Sequence, residues 1–312
     1  MILVKVGQQK ISDFYKSKTV LLTGNRGFIG SSLQRKMQGF GCNIISFKGD
    51  VSTKNDWLNQ LEGVDLVFHL AAIEYNSTKD PYKDLQVNAL SILNLLEICK
   101  KHGFKPEIVF ASSSNVFGKS KKLPVLESDK ETPFSVWSAH KLLAENYLKI
   151  YHEATDLKSV SLRLSNVYGP ADSIRLMQRM ALNKMILMAI KEGRLELYNN
   201  YNCIRDWIYI DDVVDAFLLS GMISEKKADT FLIGTNNSPT IKLVAETIKE
   251  LVMKIESKEV DIRYRKDITL PPMAMRNYSP DCSLFKEETG WTPKVDLEPG
   301  ITLTMERFLN EL

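Results

Sequence analysis

The stretch from Thr19 to Gly30, Thr-Val-Leu-Leu-Thr-Gly-Asn-Arg-Gly-Phe-Ile-Gly, constrains the fold of this chain more than any other. A β-branched apolar run ends in glycines at 24, 27 and 30, and an amphipathic segment from Phe28 to Met37 begins at once. That order is strand, tight turn, helix. A helix entered this way turns its first unpaired amides outward, where they and the helix dipole favour a phosphate. Gly24 would make the turn, Gly27 would let a pyrophosphate approach the backbone, and Gly30 would let helix pack on strand. Three glycines can also serve a turn that binds nothing. Their place between a buried strand and a helix is what points to a dinucleotide.

At 312 residues the chain suits one large α/β domain with a smaller appendage. Its formal charge of +3 forms no basic tract, so neither nucleic acid nor a membrane surface is indicated as a partner, whereas a small anionic ligand is. Cys42, Cys99, Cys203 and Cys282 are far apart, with no CxxC pair or Cys/His cluster. Neither a metal site nor a disulfide framework is expected, and reduced thiols fit a cytoplasmic setting. No apolar run approaches a membrane span. Met1 to Lys18 is broken by Gly7, Gln8, Gln9 and Lys10, so it reads as a short extension before the first strand and not as a signal peptide.

Beyond the first helix, strand and helix alternate. Strands are expected at Cys42–Phe47, Val64–Ala72, Ile108–Ala111 and Val160–Leu164, and helices at Trp57–Leu61, Tyr82–Lys101 and Ser138–Tyr151. This predicts a Rossmann-type doubly wound parallel sheet whose ligand crevice lies at the carboxyl ends of the strands. From Pro170 the pattern loosens into a Met-rich helix, Met177–Lys191, whose methionines suit a core. Strands at Ile208–Ile210 and Thr230–Ile233, the latter apolar enough to rejoin the large sheet, precede helices at Ile241–Ile255 and Leu297–Leu312.

Five motifs in register carry a resemblance. They are Thr23 to Gly30, His69-Leu70-Ala71-Ala72, Ser112-Ser113-Ser114-Asn115-Val116-Phe117-Gly118, Asn166-Val167-Tyr168-Gly169-Pro170, and Arg205-Asp206-Trp207-Ile208-Tyr209-Ile210-Asp211-Asp212. With them the chain resembles the extended short-chain dehydrogenase/reductases of the nucleotide-sugar epimerase and dehydratase group, from Thr19 to Gly290-Trp291-Thr292-Pro293. The resemblance implies an NAD(P)-binding Rossmann domain over residues 1–169, rejoined by about 205–236, and a smaller mixed α/β domain over 170–312 that binds a nucleoside-diphosphate sugar. NAD or NADP would be held by Gly24, Asn25, Arg26, Gly27, Phe28, Ile29, Gly30, Asp50, Val51, Leu70, Ala71, Ala72 and Lys141. Ser113 would bond the reacting sugar oxygen. Ser114, Asn115, Asn166, Arg205 and Arg276 would contact the substrate, the two arginines at its diphosphate. The helices at Tyr82–Lys101 and Ser138–Tyr151 would form a four-helix bundle across a homodimer's two-fold axis.

Two departures bear on the reaction. The family opens the helix after Gly118 with Tyr-x-x-x-Lys, residues that share a helix face; here Trp137 stands in the tyrosine's place, with Lys141 retained and Glu145 one turn on. An indole N–H donates only and cannot act as a base. Candidate replacements are Tyr75 first, then Glu74 and His140, while His69, inside a buried strand, reads as structural. The acid–base pair of the family's dehydratases falls on Ser114 and Asn115, which disfavours water elimination. At the tip of the second strand, where an acidic residue would select NAD, stands Lys48, which leans towards NADP. The expectation is an NAD(P)-dependent nucleotide-sugar epimerase, with a keto-sugar reductase or a catalytically impaired dinucleotide- and nucleotide-sugar-binding protein as alternatives.

Overall fold

Where the sequence suggests an extension, the chain opens with a helix, α1 (Ile2–Tyr15). Tyr15 seats it: the ring is fully buried and its hydroxyl donates to the Leu218 carbonyl at 2.7 Å. The signal was the spacing of Ile11, Phe14 and Tyr15, one side of a helix turned to the core. The structure is a computed structural model and describes residues 2–73, 80–120, 122–223 and 228–311.

The alternation then runs β1 (Thr19–Thr23), α2 (Phe28–Met37), β2 (Asn43–Ser46), α3 (Lys54–Leu58), β3 (Leu66–His69), α4 (Pro81–Leu85), α5 (Ser91–His102), β4 (Glu107–Ser113), α6 (Val136–Thr155) and β5 (Ser159–Leu164). There follow β6 (Asn166–Tyr168), α7 (Ile174–Met177), α8 (Ala181–Glu192), β7 (Arg194–Tyr198), β8 (Trp207–Tyr209), α9 (Ile210–Ile223), β9 (Ala228–Ile233), α10 (Ile241–Glu256), β10 (Asp261–Arg265), α11 (Ser283–Thr289) and α12 (Leu297–Leu309).

Six strands form one parallel sheet in the order β2-β1-β3-β4-β5-β9, the doubly wound architecture expected. The period of two sends successive side chains to opposite faces. Leu22, Phe68, Val109 and Leu162 pack into the core that holds α2 and α9, while Leu21, Val67, Ile108 and Phe110 pack against α3, α5 and α6. A sheet covered on both sides in this way explains why β3 is buried along its whole length. The chain leaves β1 for β2 on one side and crosses back to β3 on the other. That reversal opens a crevice above the carboxyl ends of β1 and β3. Thr230–Ile233 does rejoin the large sheet, within β9 beside β5.

The strand expected at Ile208–Ile210 is β8, ending one residue earlier because Ile210 opens α9, but its pairing with β6 and the sheet of β7 with β10 were not legible in the sequence. Arg194–Tyr198 carries charges among its apolar residues, and Asn166–Tyr168 looks like a turn. The single helix expected over Tyr82–Lys101 is α4 and α5 joined by a π turn at 86–90. Side chains hold that widened turn: Asn88 Nδ2 donates to Asp84 Oδ1 at 3.0 Å and to the Ile73 carbonyl at 3.1 Å, and Ser91 Oγ donates to the Val87 carbonyl at 2.6 Å. Such turns recur at functional sites. The Met-rich segment divides as well, with Met177 closing α7 and α8 starting at Ala181.

Candidate active site

A cleft of about 680 Å³ lies at the switch point, and Gly24, Gly27 and Gly30 form its floor. Gly24 has φ of +68°, and a Cβ there would meet the Leu70 carbonyl carbon and the Ala71 nitrogen at 2.7 Å. Gly30 is packed on the turn itself, where a Cβ would stand 2.2 Å from the Gly24 carbonyl oxygen. Gly27 is different. Its φ of −85° and ψ of 174° suit any residue, and an added Cβ would meet only the Gly24 oxygen, at 3.1 Å. No side chain caps α2, so its first amides turn to the cleft. Two glycines are thus required by the protein's own packing and the third keeps the cradle open.

The neighbouring wall, Leu70 to Ala72, is fixed from beneath by a chain of bonds through His69. Thr23 Oγ1 accepts from the Leu70 and Ala71 amides at 3.1 and 3.0 Å, so its hydroxyl donates to His69 Nδ1 at 2.7 Å. His69 Nε2–H in turn donates to Ser91 Oγ at 2.8 Å. Only the neutral Nε2–H tautomer satisfies every partner. Burial, assisted by the Lys141 charge, pushes the His69 pKa down to about 3. The structural role expected of His69 follows from that geometry.

At the other end of the cradle, Asn25 Nδ2 donates to Ser46 Oγ at 3.1 Å, tying the glycine turn to the tip of β2. Asp50 and Val51 line the cleft, and Asp50 is held by the Ser52 amide and hydroxyl, which keep its carboxyl below the usual range. Arg26 and Lys48 are exposed. Lys48 lies between the lining residues Phe47 and Gly49, with its main chain bonded to the Gln60 side chain.

Ser113, at the end of β4, and Trp137 and Lys141, on the first turns of α6, line the same cleft. Ser135 starts α6 through a reciprocal cap with Ser138, which fixes where the helix points. Trp137 Nε1 donates to the Ile73 carbonyl at 2.6 Å, so the indole anchors the main chain just before residues 74–79. Lys141 Nζ donates to the Ala111 carbonyl at 2.9 Å and lies over the Phe110 ring at 4.7 Å. Burial brings its pKa down to about 8, against the opposing pull of the Asp84 and Glu145 carboxylates. Glu145 is itself fully buried, accepting from Ser112 Oγ and from Arg163 Nη2 at 2.7 Å. Arg163 also reaches Glu131 at 2.5 Å, so one ion network joins β4, β5, α6 and the loop before α6.

A family model described as GDP-mannose 4,6 dehydratase matches residues 41–304. The chain belongs to the extended short-chain dehydrogenase/reductase family of nucleotide-sugar epimerases and dehydratases. It is 30% identical to the dTDP-4-dehydro-6-deoxyglucose reductase of Escherichia coli, over 90% of this chain and 95% of that one. It is 26% identical to the UDP-glucose 4-epimerase of Mycolicibacterium smegmatis, over 93% and 98%. The solved UDP-glucose 4-epimerase of Thermotoga maritima superposes with a TM-score of 0.81 at 27% identity, covering 94% of this chain and 99% of that one. Members of this family are NAD(P)-dependent enzymes, and the present chain is one by its membership. The glycine turn lies before the matched segment, so the cradle stands on its geometry.

Against the family pattern, the structure gathers Gly24 to Gly30, Asp50, Val51, Leu70 to Ala72, Ser113, Trp137 and Lys141 around one cleft. The residues expected on the substrate are placed otherwise. Arg276 is buried, donates to the Ser114 carbonyl at 3.0 Å and Ser114 Oγ at 3.1 Å, and stacks on Tyr278; burial brings its pKa down to about 10. Arg205 donates to the carbonyls of Ala274, at 2.7 Å, and Arg276. Asn166 Nδ2 donates to the Asp206 carbonyl at 2.8 Å and ties β6 to β8. Asn115 lies in the 3-10 turn after β4, its amide on Ser113 Oγ at 3.2 Å. His140 bonds Asp84 Oδ1 at 2.7 Å. Tyr75 and Glu74 lie outside the described residues.

Sequence reasoning missed the far wall, where Val167, Arg179 and Met180 line the cleft. Arg179 within the Met-rich stretch was its available signal. It also missed the ion network, although Arg163, the one charged residue of a strand buried along its length, demanded a buried carboxylate. Among the described residues no group of His, Cys, Asp and Glu could hold a metal, and no helix is long and apolar enough to cross a membrane.

Proposed function

We propose that the protein is an NAD(P)-dependent epimerase of a nucleoside-diphosphate sugar, acting at carbon 4 of a UDP-sugar. The observation that carries this reading is that the glycine cradle and the Ser113–Trp137–Lys141 wall belong to one cleft. A dinucleotide with its pyrophosphate on Gly24, Gly27 and the α2 amides would lie along Leu70 to Ala72 towards Lys141. When bound it would accept and return the sugar's hydride. Ser113 Oγ would hold the reacting sugar oxygen, and Lys141 the nicotinamide ribose. The epimerases among the relatives support the reaction type, and their UDP-glucose names support the base.

Ser114 and Asn115 supply no acid–base pair, so water elimination is not the reaction proposed. NADP is the preferred cofactor on this reading, with Lys48 and Arg26 as the cations for its extra phosphate. Residues 1–169 would hold the dinucleotide and 170–312 the sugar nucleotide, with Arg205 and Arg276 turning to the diphosphate when substrate binds. Tyr82, Val136 and Ile150, exposed apolar residues on α4 and α6, support a homodimer built on these helices.

A keto-sugar reductase is the second reading, favoured by the 30% identity to the E. coli reductase. Incubation with UDP-glucose, UDP-N-acetylglucosamine and dTDP-4-keto sugars, with each dinucleotide, separates them. Interconversion of 4-epimers without net change at 340 nm supports the epimerase; stoichiometric oxidation of reduced dinucleotide by a keto-sugar alone refutes it. Dinucleotide and sugar nucleotide bound without turnover would leave a binding protein.

A further inference from the structure

Among the described residues two carboxylates stand close enough to act on Lys141 through space, and each is already engaged elsewhere. Glu145, one turn further along α6, accepts from Ser112 Oγ, Arg163 Nε at 3.1 Å and Arg163 Nη2 at 2.7 Å. Asp84, on α4, accepts through Oδ1 from His140 Nδ1 at 2.7 Å and Asn88 Nδ2 at 3.0 Å. Lys141 Nζ has the Ala111 carbonyl as its hydrogen-bond acceptor and aromatic rings around it, Phe110 at 4.7 Å and Trp137 at 6.0 Å. His69, on β3, is neutral. Among the described residues an ammonium in this setting has no hydrogen-bonded counter-ion, and Lys141 is buried, which favours the free amine.

Among the described residues, neither Trp137 nor Ser113 on this wall can carry the proton. The Trp137 indole is a donor already committed to the Ile73 carbonyl. Ser113 Oγ needs a base of its own. We propose that Lys141 Nζ is the proton carrier of the reaction, in the place of the phenol that Trp137 displaces, and that Asp84 and His140 are positioning residues that set its basicity. This rests on the epimerase reading above. In the forward step the sugar O–H bond breaks and the proton joins the lone pair of neutral Lys141 Nζ. The electron pair of the adjoining C–H bond would leave as hydride, for which an oxidised nicotinamide dinucleotide in the cleft would be the acceptor, and the sugar carbon would become a ketone. The Lys141 ammonium would return the same proton to the sugar oxygen when the hydride is given back to the other face of the ketone.

The position of Lys141 allows a readout independent of turnover. With lysine labelled at 13Cε, the resonance absent from Lys141→Arg identifies Lys141, and the assignment expects its midpoint near pH 8. Asp84→Asn removes a charge that holds the amine protonated, so the midpoint and the rising limb of kcat/KM should both move to lower pH. A merely structural role for Asp84 would lower kcat without moving the limb. Lys141→Arg keeps charge and donors but cannot become neutral, so it should lose about a hundredfold or more in turnover while dinucleotide affinity stays within about tenfold. A Lys141 midpoint above pH 10, or a loss in Tyr75→Phe as deep as in Lys141→Arg, overturns the assignment. If wild type turns over no sugar nucleotide while Lys141 titrates near pH 8, the epimerase reading fails together with the role; turnover with Lys141 above pH 10 fails the role alone.

Discussion

Adding a single methyl group at Gly30 or a valine side chain at Gly27 should separate fold from function in the dinucleotide cradle. A Cβ on Gly30 would stand 2.2 Å from the Gly24 oxygen, 2.8 Å from its carbon and 3.0 Å from the Asn25 Cα, all backbone. Ordinary contact is near 3.5 Å, so α2 would have to move by about 1 Å from the turn. Overpacking of this kind costs about 1–3 kcal/mol, and at about 2–4 °C per kcal/mol the melting temperature of Gly30→Ala should fall by roughly 2–12 °C. At Gly27 the backbone is extended and the only near atom is the Gly24 oxygen at 3.1 Å, so Gly27→Val should cost no more than about 1 kcal/mol in stability, part of it from a poorer helix cap. Its isopropyl group would instead occupy the path of the pyrophosphate. Loss of even 2.8 kcal/mol of binding is about a hundredfold in Kd. Scanning calorimetry paired with isothermal titration of NAD and NADP reads both effects. Wild-type affinity in Gly27→Val, with the fold intact, would refute a dinucleotide on this turn.

The buried Glu145 should matter to stability: Glu145→Ala leaves Arg163 in β5 with the half-buried Glu131 as its remaining carboxylate, and urea denaturation should show a loss of up to about 3 kcal/mol, whereas a change below about 1 kcal/mol would mean that Glu131 and water replace the lost carboxylate. Lys141 makes a pH prediction. Its folded pKa, near 8, lies below the unfolded value of 10.5, so the unfolded chain binds more protons between the two and stability from this group rises with pH across that window. Lys141→Met should therefore stabilise the protein at pH 7 by up to about 3 kcal/mol, an advantage that shrinks towards pH 10.5, and equal gains at both pH values would contradict the shift. If Tyr82, Val136 and Ile150 cover a two-fold interface, sedimentation at micromolar concentration gives twice the chain mass of 35.5 kDa, and a single-chain mass rules the dimer out.

What the sequence disclosed and what it hid follow one physical line. Val-Leu-Leu at 20–22 and Leu-Val-Phe at 66–68 are continuous apolar runs because a parallel sheet buries both faces, so the large sheet could be read directly. The cradle was legible too, since steric demand at Gly24 and Gly30 leaves no other residue. Elements held by specific polar bonds were not. The π turn depends on where Asn88 and Ser91 find acceptors, and β6 with β8 depends on Asn166 meeting the Asp206 carbonyl, neither of which has a periodicity. Trp137 was visible as a departure from the family's tyrosine. Its bond to the Ile73 carbonyl, and the two carboxylates withheld from Lys141, became visible only when distant segments met.

Epimerisation by hydride transfer within this cleft is open to a direct test with UDP-glucose deuterated at carbon 4. Proton and deuterium NMR should show UDP-glucose and UDP-galactose approaching equilibrium, the label retained at carbon 4 of both, and no build-up of reduced dinucleotide. Washing of the label into solvent, or no second epimer at any pH between 7 and 9 with either dinucleotide present, would contradict it.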